Sequence, residues 1–213
     1  VSPPSRSPSS ESFEQLGGSV ASALERVDAT EGLHLLGHGF GAAVALSAAA
    51  AAATGRVRSL VLTSPLGSLD DAEPGAREAL AASPAPLLST HATQGRACID
   101  SELRALDRRA SPLLAKLREG GLQPLREQLR TTPTPRVPTL ITRGAQDVCS
   151  ESAVKGLAGE MGPAKVATFP ASGALAFIDE KKAFNDALLA FLDEVDDTVT
   201  RRAVPLDGIM APY

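Results

Sequence analysis

Gly37-His38-Gly39-Phe40-Gly41 joins an apolar run, Leu33-His34-Leu35-Leu36, to an alanine-rich stretch from about Ala42 to Ala53. A strand, a Gly-x-Ser-x-Gly turn and a helix together present a serine at the tip of a sharp bend, ready to attack an acyl carbon. Here the serine position is Gly39, so no alkoxide can form there. Such chemistry also needs a base, ordinarily histidine, and an acid that orients it. Asp147 lies within VPTLITRGAQDVC, just past a later strand-like run, and Ala174 follows Gly173, 27 positions beyond Asp147.

Other groups near these positions carry less. His38 and Phe40 flank the centre of the turn, and Cys149 lies two residues past Asp147. These three are the candidate ligand contacts. A lone histidine beside a turn is more often structural than functional. Cys149 as a replacement nucleophile needs an activating base, and none is evident. Ser64, at the end of a strand, faces the same objection. His34 falls within a strand and reads as packed, and His91 belongs to no motif. No His/Cys/Asp/Glu cluster has metal-ligand spacing. There is no P-loop, and Gly37-x-Gly39-x-Gly41 does not complete the dinucleotide fingerprint. No cofactor or metal is expected.

The elements that must position these residues are readable from periodicity. Ser12 and Gln15 form a capping box ahead of Phe13, Leu16, Val20, Leu24 and Val27, which recur on one helical face. Gly17 and Gly18 weaken that helix. Strands are expected over LHLL, VRSLVLT (57–63), TLIT (139–142) and KVATF (165–169), and a helix over 150–160. A last helix over 181–195 turns Phe184, Leu188, Phe191, Leu192 and Val195 to the core. Strands alternating with helices imply a parallel sheet with right-handed crossovers. Its functional loops lie at the carboxyl ends of the strands, starting at Gly37, Ser64, Arg143 and Pro170. Residues 68–136, rich in Ala, Leu, Arg and Pro, suggest short helices at 100–109, 111–119 and 122–129, read as a cap inserted into the domain.

A chain of 213 residues, 43% hydrophobic and 22% charged, suits one α/β domain with an insertion. A net charge of −4 without a basic stripe argues against nucleic acid. The 3% aromatic content, without Trp, argues against recognition by base or sugar stacking. No apolar run is long enough to span a bilayer. Two distant cysteines, Cys98 and Cys149, read as reduced. The Ser/Pro-rich opening, VSPPSRSPSS, reads as a flexible lead-in and hints at removal of an organelle-targeting segment (chloroplast or mitochondrion).

Taken together, LHLLGHGFGAAVALSAAA, VPTLITRGAQDVC and FPASGALAFIDE (169–180) resemble the α/β-hydrolase superfamily of the cap-containing type. The resemblance covers most of residues 12–195 outside the cap. It implies a degenerate member in which Gly39, Asp147 and Ala174 are vestigial triad positions, lacking the catalytic Ser and His. It also implies that only the last four strands of an eight-stranded sheet are present. The expected layout is a lead-in over 1–11, a core over 12–67 and 137–195, a cap over 68–136 and a C-terminal tail over 196–213. A half-sheet would leave the strand from Leu33 to Leu36 as an apolar edge, which proteins avoid exposing. The leading expectation is a pseudoenzyme acting as a structural subunit of a larger assembly. Its partner chains would cover that strand and contact the tail from Asp196 to Tyr213. The alternatives are a non-hydrolytic small-molecule receptor using the pocket under the cap, and a residual esterase with a non-standard nucleophile.

Overall fold

A computed structural model of the chain describes residues 13–76, 125–131 and 136–203. Its centre is a sheet of four strands: β1 (Leu33–His38), β2 (Val57–Thr63), β3 (Thr139–Gly144) and β4 (Ala164–Phe169). Every pairing is parallel and the spatial order follows the sequence, β1-β2-β3-β4. Six helices accompany it among the described residues: α1 (Phe13–Leu24), α2 (Phe40–Ala51), α3 (Leu125–Thr131), α4 (Glu151–Glu160), α5 (Ala176–Asp179) and α6 (Lys181–Ala203). The expected parallel α/β architecture is the observed one.

The sequence explains the layering. β2 reads VRSLVLT and is buried at nearly every position, as a central parallel strand must be with both faces covered. On one face Leu60, Leu62 and Ile141 pack with α1, α2, α3 and α4 through Phe13, Leu46, Leu125, Leu129, Val154 and Leu157. On the other face Val61 and Leu140 pack against Phe191 and Val195 of α6. β1 and β4 are edges among the described residues. Leu36 of β1 is 53% exposed.

Three local features differ from the sequence expectation, each for a physical reason. Phe13 of the expected face of α1 is buried, but its buried companions are Gly17 and Ala21, while Leu16, Val20 and Leu24 are half-buried and Val27 is exposed beyond the helix end. A Cβ at Gly17 would lie 2.4 Å from the Ser47 Cβ. Gly17, expected to weaken the helix, is where α1 and α2 touch. Second, α6 continues past Val195 to Ala203. Apolar periodicity marks the buried length of a helix, and the extra turns are polar. Third, the helix expected to stop at 129 reaches Thr131, two polar residues past Leu129, the last of its residues in the main core; its part before Leu125 lies outside the described residues. The expected helices over 100–109 and 111–119 lie outside the described residues, as do the lead-in and residues 204–213.

One side chain bridges the chain on either side of residues 77–124. Asp71, in a 3₁₀ turn (Leu69–Asp71) capped by Ser68, accepts backbone N–H groups through one carboxylate oxygen. Its donors are Gly67 at 2.9 Å, Ser68 at 3.1 Å and Leu125 at 3.1 Å. Three donors, two at Gly67 and Ser68 and one at Leu125, are thus satisfied together.

Candidate functional site

The carboxyl ends of β1, β2 and β3 and the loop after β4 converge on the residues singled out by sequence. Gly39 sits between β1 and α2 with φ 56° and ψ −122°. That region is sparsely populated for residues with a side chain. Its N–H donates to the Thr63 carbonyl (3.0 Å), and its own carbonyl accepts from Ala42 (3.1 Å) and Leu66 (3.2 Å). A Cβ built there would meet nothing within 4 Å. The tightness of the turn depends on Gly37 instead, where a Cβ would fall 2.3 Å from the Gly41 carbonyl oxygen.

Asp147 is buried and accepts three hydrogen bonds. Its Oδ2 accepts from the Ser64 hydroxyl at 2.6 Å and the Gly144 N–H at 3.2 Å, and its Oδ1 accepts from the Cys149 N–H at 3.0 Å. Ala174 is also buried, and it contributes through its backbone. Its carbonyl lies 2.9 Å from His38 Nε2 and 2.8 Å from Ser64 Oγ. A carbonyl can only accept, so His38 bonds it with the proton on Nε2. Ser64 has one proton, and the carboxylate at the shorter distance is the stronger acceptor. Ser64 itself has φ 46°, the one positive φ outside glycine among the described residues.

This places the sequence candidates plainly. Gly39, Asp147 and Ala174 come together, joined through His38 and Ser64. Burial lowers the pKa of His38, while the Ala174 hydrogen bond and the Asp147 charge pull the other way. The imidazole is therefore neutral at pH 7, with Phe177 edge-on at 5.5 Å. Phe40 faces away from this network and stacks on Phe13 at 6.1 Å. Cys149 is fully buried, and its thiol donates to the Pro65 carbonyl at 2.9 Å. Burial, with the charge of Asp147 next, pushes that thiol well above its usual pKa. Such a thiol is inert rather than nucleophilic. His34 bonds Ser59 (2.7 Å) and reaches Asp196 of α6 (3.2 Å). Cys98 and His91 lie outside the described residues.

Ser64 is the residue whose part the sequence reading missed. It was weighed only as a replacement nucleophile, whereas its hydroxyl is a donor to Asp147 across 83 positions. No local pattern signals such a contact. Chemically, the cluster holds and orients. Gly39 and Ala174 offer no side-chain oxygen or nitrogen, and Ser64 is 3% exposed. No group of three His/Cys/Asp/Glu able to hold a metal occurs among the described residues. No helix among them is long and apolar enough to cross a membrane.

A strand, a strained turn and a helix at the head of a parallel sheet, with an aspartate after a neighbouring strand, define a class. The chain belongs to the alpha/beta hydrolase family, whose family model matches residues 2–187. Solved structures share the fold. An esterase from Rhodococcus is 21% identical, with 87% of this chain and 74% of that chain covered and a TM-score of 0.63. An esterase from Exiguobacterium antarcticum is 19% identical, with 88% and 76% covered and a TM-score of 0.66. A hydrolase from Pseudomonas aeruginosa is 25% identical, with 88% and 74% covered and a TM-score of 0.54. No curated protein matches the chain.

Proposed function

We propose that this chain is a catalytically inactive α/β-hydrolase-fold protein serving as a structural subunit of a larger protein assembly. The single observation that carries the reading is the bond between Ser64 and Asp147 at 2.6 Å. In an active triad the aspartate orients a histidine. Here the carboxylate accepts from a hydroxyl and two backbone N–H groups, and position 174 offers only a carbonyl. Loss of the nucleophile alone removes on the order of 10⁶ in rate in a comparable triad. The assembly role rests on β1, an edge strand whose outer backbone groups can pair with another chain. Partner contacts along β1 and the C-terminal region follow from that reading.

The test has two arms. Purified protein is assayed with p-nitrophenyl acetate, alone and after Ser64→Ala and Cys149→Ser. The expected rate equals that of buffer for all three. Turnover by the parent protein that disappears in either variant would establish a non-standard nucleophile and end the inactive reading. In the second arm the chain is isolated from its native source and its mass measured. A complex of fixed stoichiometry is expected, and a monomer that binds no protein would remove the subunit role. Restoring Gly39→Ser with Ala174→His is expected to give no hydrolysis, because Ser64 still holds Asp147 and would leave a new imidazole unoriented.

A further inference from the structure

A cavity of about 500 Å³ opens beside the first turn of α4. That helix follows β3, in the interior of the sheet rather than at its β1 edge. Ala72, Glu73 and Pro74 form one wall, and Glu151, Ser152 and Lys155 of α4 form the other. Backbone bonds hold the walls in place. The Glu73 N–H donates to the Val148 carbonyl at 2.7 Å, and the Ser150 N–H to the Asp71 carbonyl at 2.8 Å. A volume of this size is ample for a small organic molecule. Arg143, from the end of β3 and only 5% exposed, aims its guanidinium between the walls. Its Nη2 lies 3.5 Å from Glu73 Oε1 and its Nη1 4.0 Å from Glu151 Oε2, one contact on each wall. Its Nε is buried without an acceptor among the described residues. Charge-assisted bonds to a carboxylate run about 2.7–2.9 Å, so this buried cation is poorly met, and burial without close acceptors is costly. The Glu151 N–H at the head of α4 is also met loosely, by the same Glu73 Oε1 at 3.3 Å. The shortage between the walls is therefore one of acceptors.

We propose that this cavity binds a small organic carboxylate, which takes the place of the Glu73 side chain at Arg143 and at the N-terminus of α4. Glu73 marks the place. One oxygen of its tethered carboxylate already lies within reach of both donors, the guanidinium and the Glu151 N–H. A free carboxylate, not held by a backbone, can close to bonding distance on both and offer its second oxygen to the guanidinium fork. Glu73 is able to leave, because its side chain is 42% exposed. Once it has turned to solvent, Arg143 and Lys155 face Glu151 alone, and Lys155 already holds Glu151 at 2.5 Å. One positive charge is left for the ligand, and the head of α4 adds its own attraction for an anion. A cationic ligand would have to compete with Arg143 and Lys155 for carboxylates they already contact. A phosphate dianion would bring a second charge against Glu151. The body of the carboxylate ligand rests on the apolar surface of Ala72 and Pro74. Such binding needs neither nucleophile nor base, so it goes beyond the inactive-subunit reading and does not depend on it.

The test titrates sodium benzoate into the isotopically labelled full chain and follows its amide chemical shifts by NMR. The Glu151 and Ser152 amides are expected to move along one saturable curve. Benzyl alcohol, which keeps the ring and lacks the carboxylate, is expected to move neither. Glu73→Ala removes the tethered competitor and is expected to tighten benzoate binding about tenfold, as follows if that side chain fills the place about nine-tenths of the time. Arg143→Met is expected to abolish binding, and the gain in Glu73→Ala guards against a loss caused merely by misfolding. The absence of a saturable shift at millimolar benzoate, equal binding of benzyl alcohol, or an affinity unchanged by Glu73→Ala would each overturn the proposal. Inorganic phosphate moving the same amides where benzoate does not would overturn it as well, by assigning the place to a different anion.

Discussion

The three glycines of the turn differ in kind, and adding one methyl group at each separates strain, clash and propensity. At Gly39 a Cβ meets nothing within 4 Å, but φ is 56°. Gly39→Ala therefore costs backbone strain alone, about 1–3 kcal/mol. For a chain of this size each kcal/mol moves Tm by about 2–4 °C, so Tm falls by about 2–12 °C. At Gly41, inside α2, the added Cβ also meets nothing, and φ is not positive. Gly41→Ala replaces a poor helix former by the best one and gains up to about 1 kcal/mol. At Gly37 the Cβ would lie 2.3 Å from the Gly41 carbonyl oxygen and 2.6 Å from its carbon. Neither is the end of a flexible side chain, so β1 and α2 must separate. Forced overpacking costs about 3 kcal/mol or more at so rigid a contact. Thermal melting followed by circular dichroism should rank the proteins Gly41→Ala, parent, Gly39→Ala, Gly37→Ala. A Gly39→Ala protein melting at or above the parent would refute the strained-turn argument. A Gly37→Ala protein as stable as the parent would refute the close approach of strand and helix.

Asp71→Ala should unfold with a stability loss of about 3 kcal/mol or more, because three buried N–H donors lose one charged acceptor; a loss under 1 kcal/mol in urea titration would show that the insertion does not depend on this anchor. His38 supplies a pH dependence. Its folded pKa is lowered below 6.5, so its contribution is complete above pH 6.5 and is lost as pH falls through the folded value. The difference in unfolding free energy between parent and His38→Gln should therefore shrink on acidification, and a pH-independent difference would contradict the buried neutral imidazole. In a Cys98→Ser background, Cys149 should resist thiol reagents at pH 8 until denaturant is added, and stoichiometric labelling of the native protein would rule out the burial described.

How much of this was legible in sequence depended on whether the signal was local. The four strands and the helices between them were readable because apolar runs and capping residues lie next to each other in the chain. The register of Asp147 and Ala174 with Gly39 was readable from motif order. The face of α1 was not, because hydrophobicity ranks Leu16 and Val20 above Gly17 and Ala21. Close helix packing favours the small residues instead. The far end of α6 was hidden for the converse reason, since residues 196–203 are mostly polar in sequence. Ser64 was least legible of all. Its meaning depends on a hydroxyl meeting a carboxylate 83 positions away, and on a positive φ that sequence does not disclose for a serine.

Gly39 and Ser64 together show what keeps the loops at the head of the sheet ordered. Both residues have positive φ, 56° and 46°. Glycine tolerates that conformation at little cost, whereas serine must be held there by something stronger. At Ser64 the restraint is visible: a 2.6 Å bond to Asp147, a 2.8 Å approach to the Ala174 carbonyl, and its N–H donating to Thr142 at 2.8 Å. The strain at the head of the sheet is thus borne by a residue that ties β2, β3 and the loop after β4 together. Removing the Asp147 carboxylate would leave the Gly144 N–H and the Cys149 N–H without their acceptor, and the Ser64 hydroxyl with the Ala174 carbonyl alone. In this arrangement the aspartate is accounted for by the architecture of the loops it joins, with no reacting group required to explain its position.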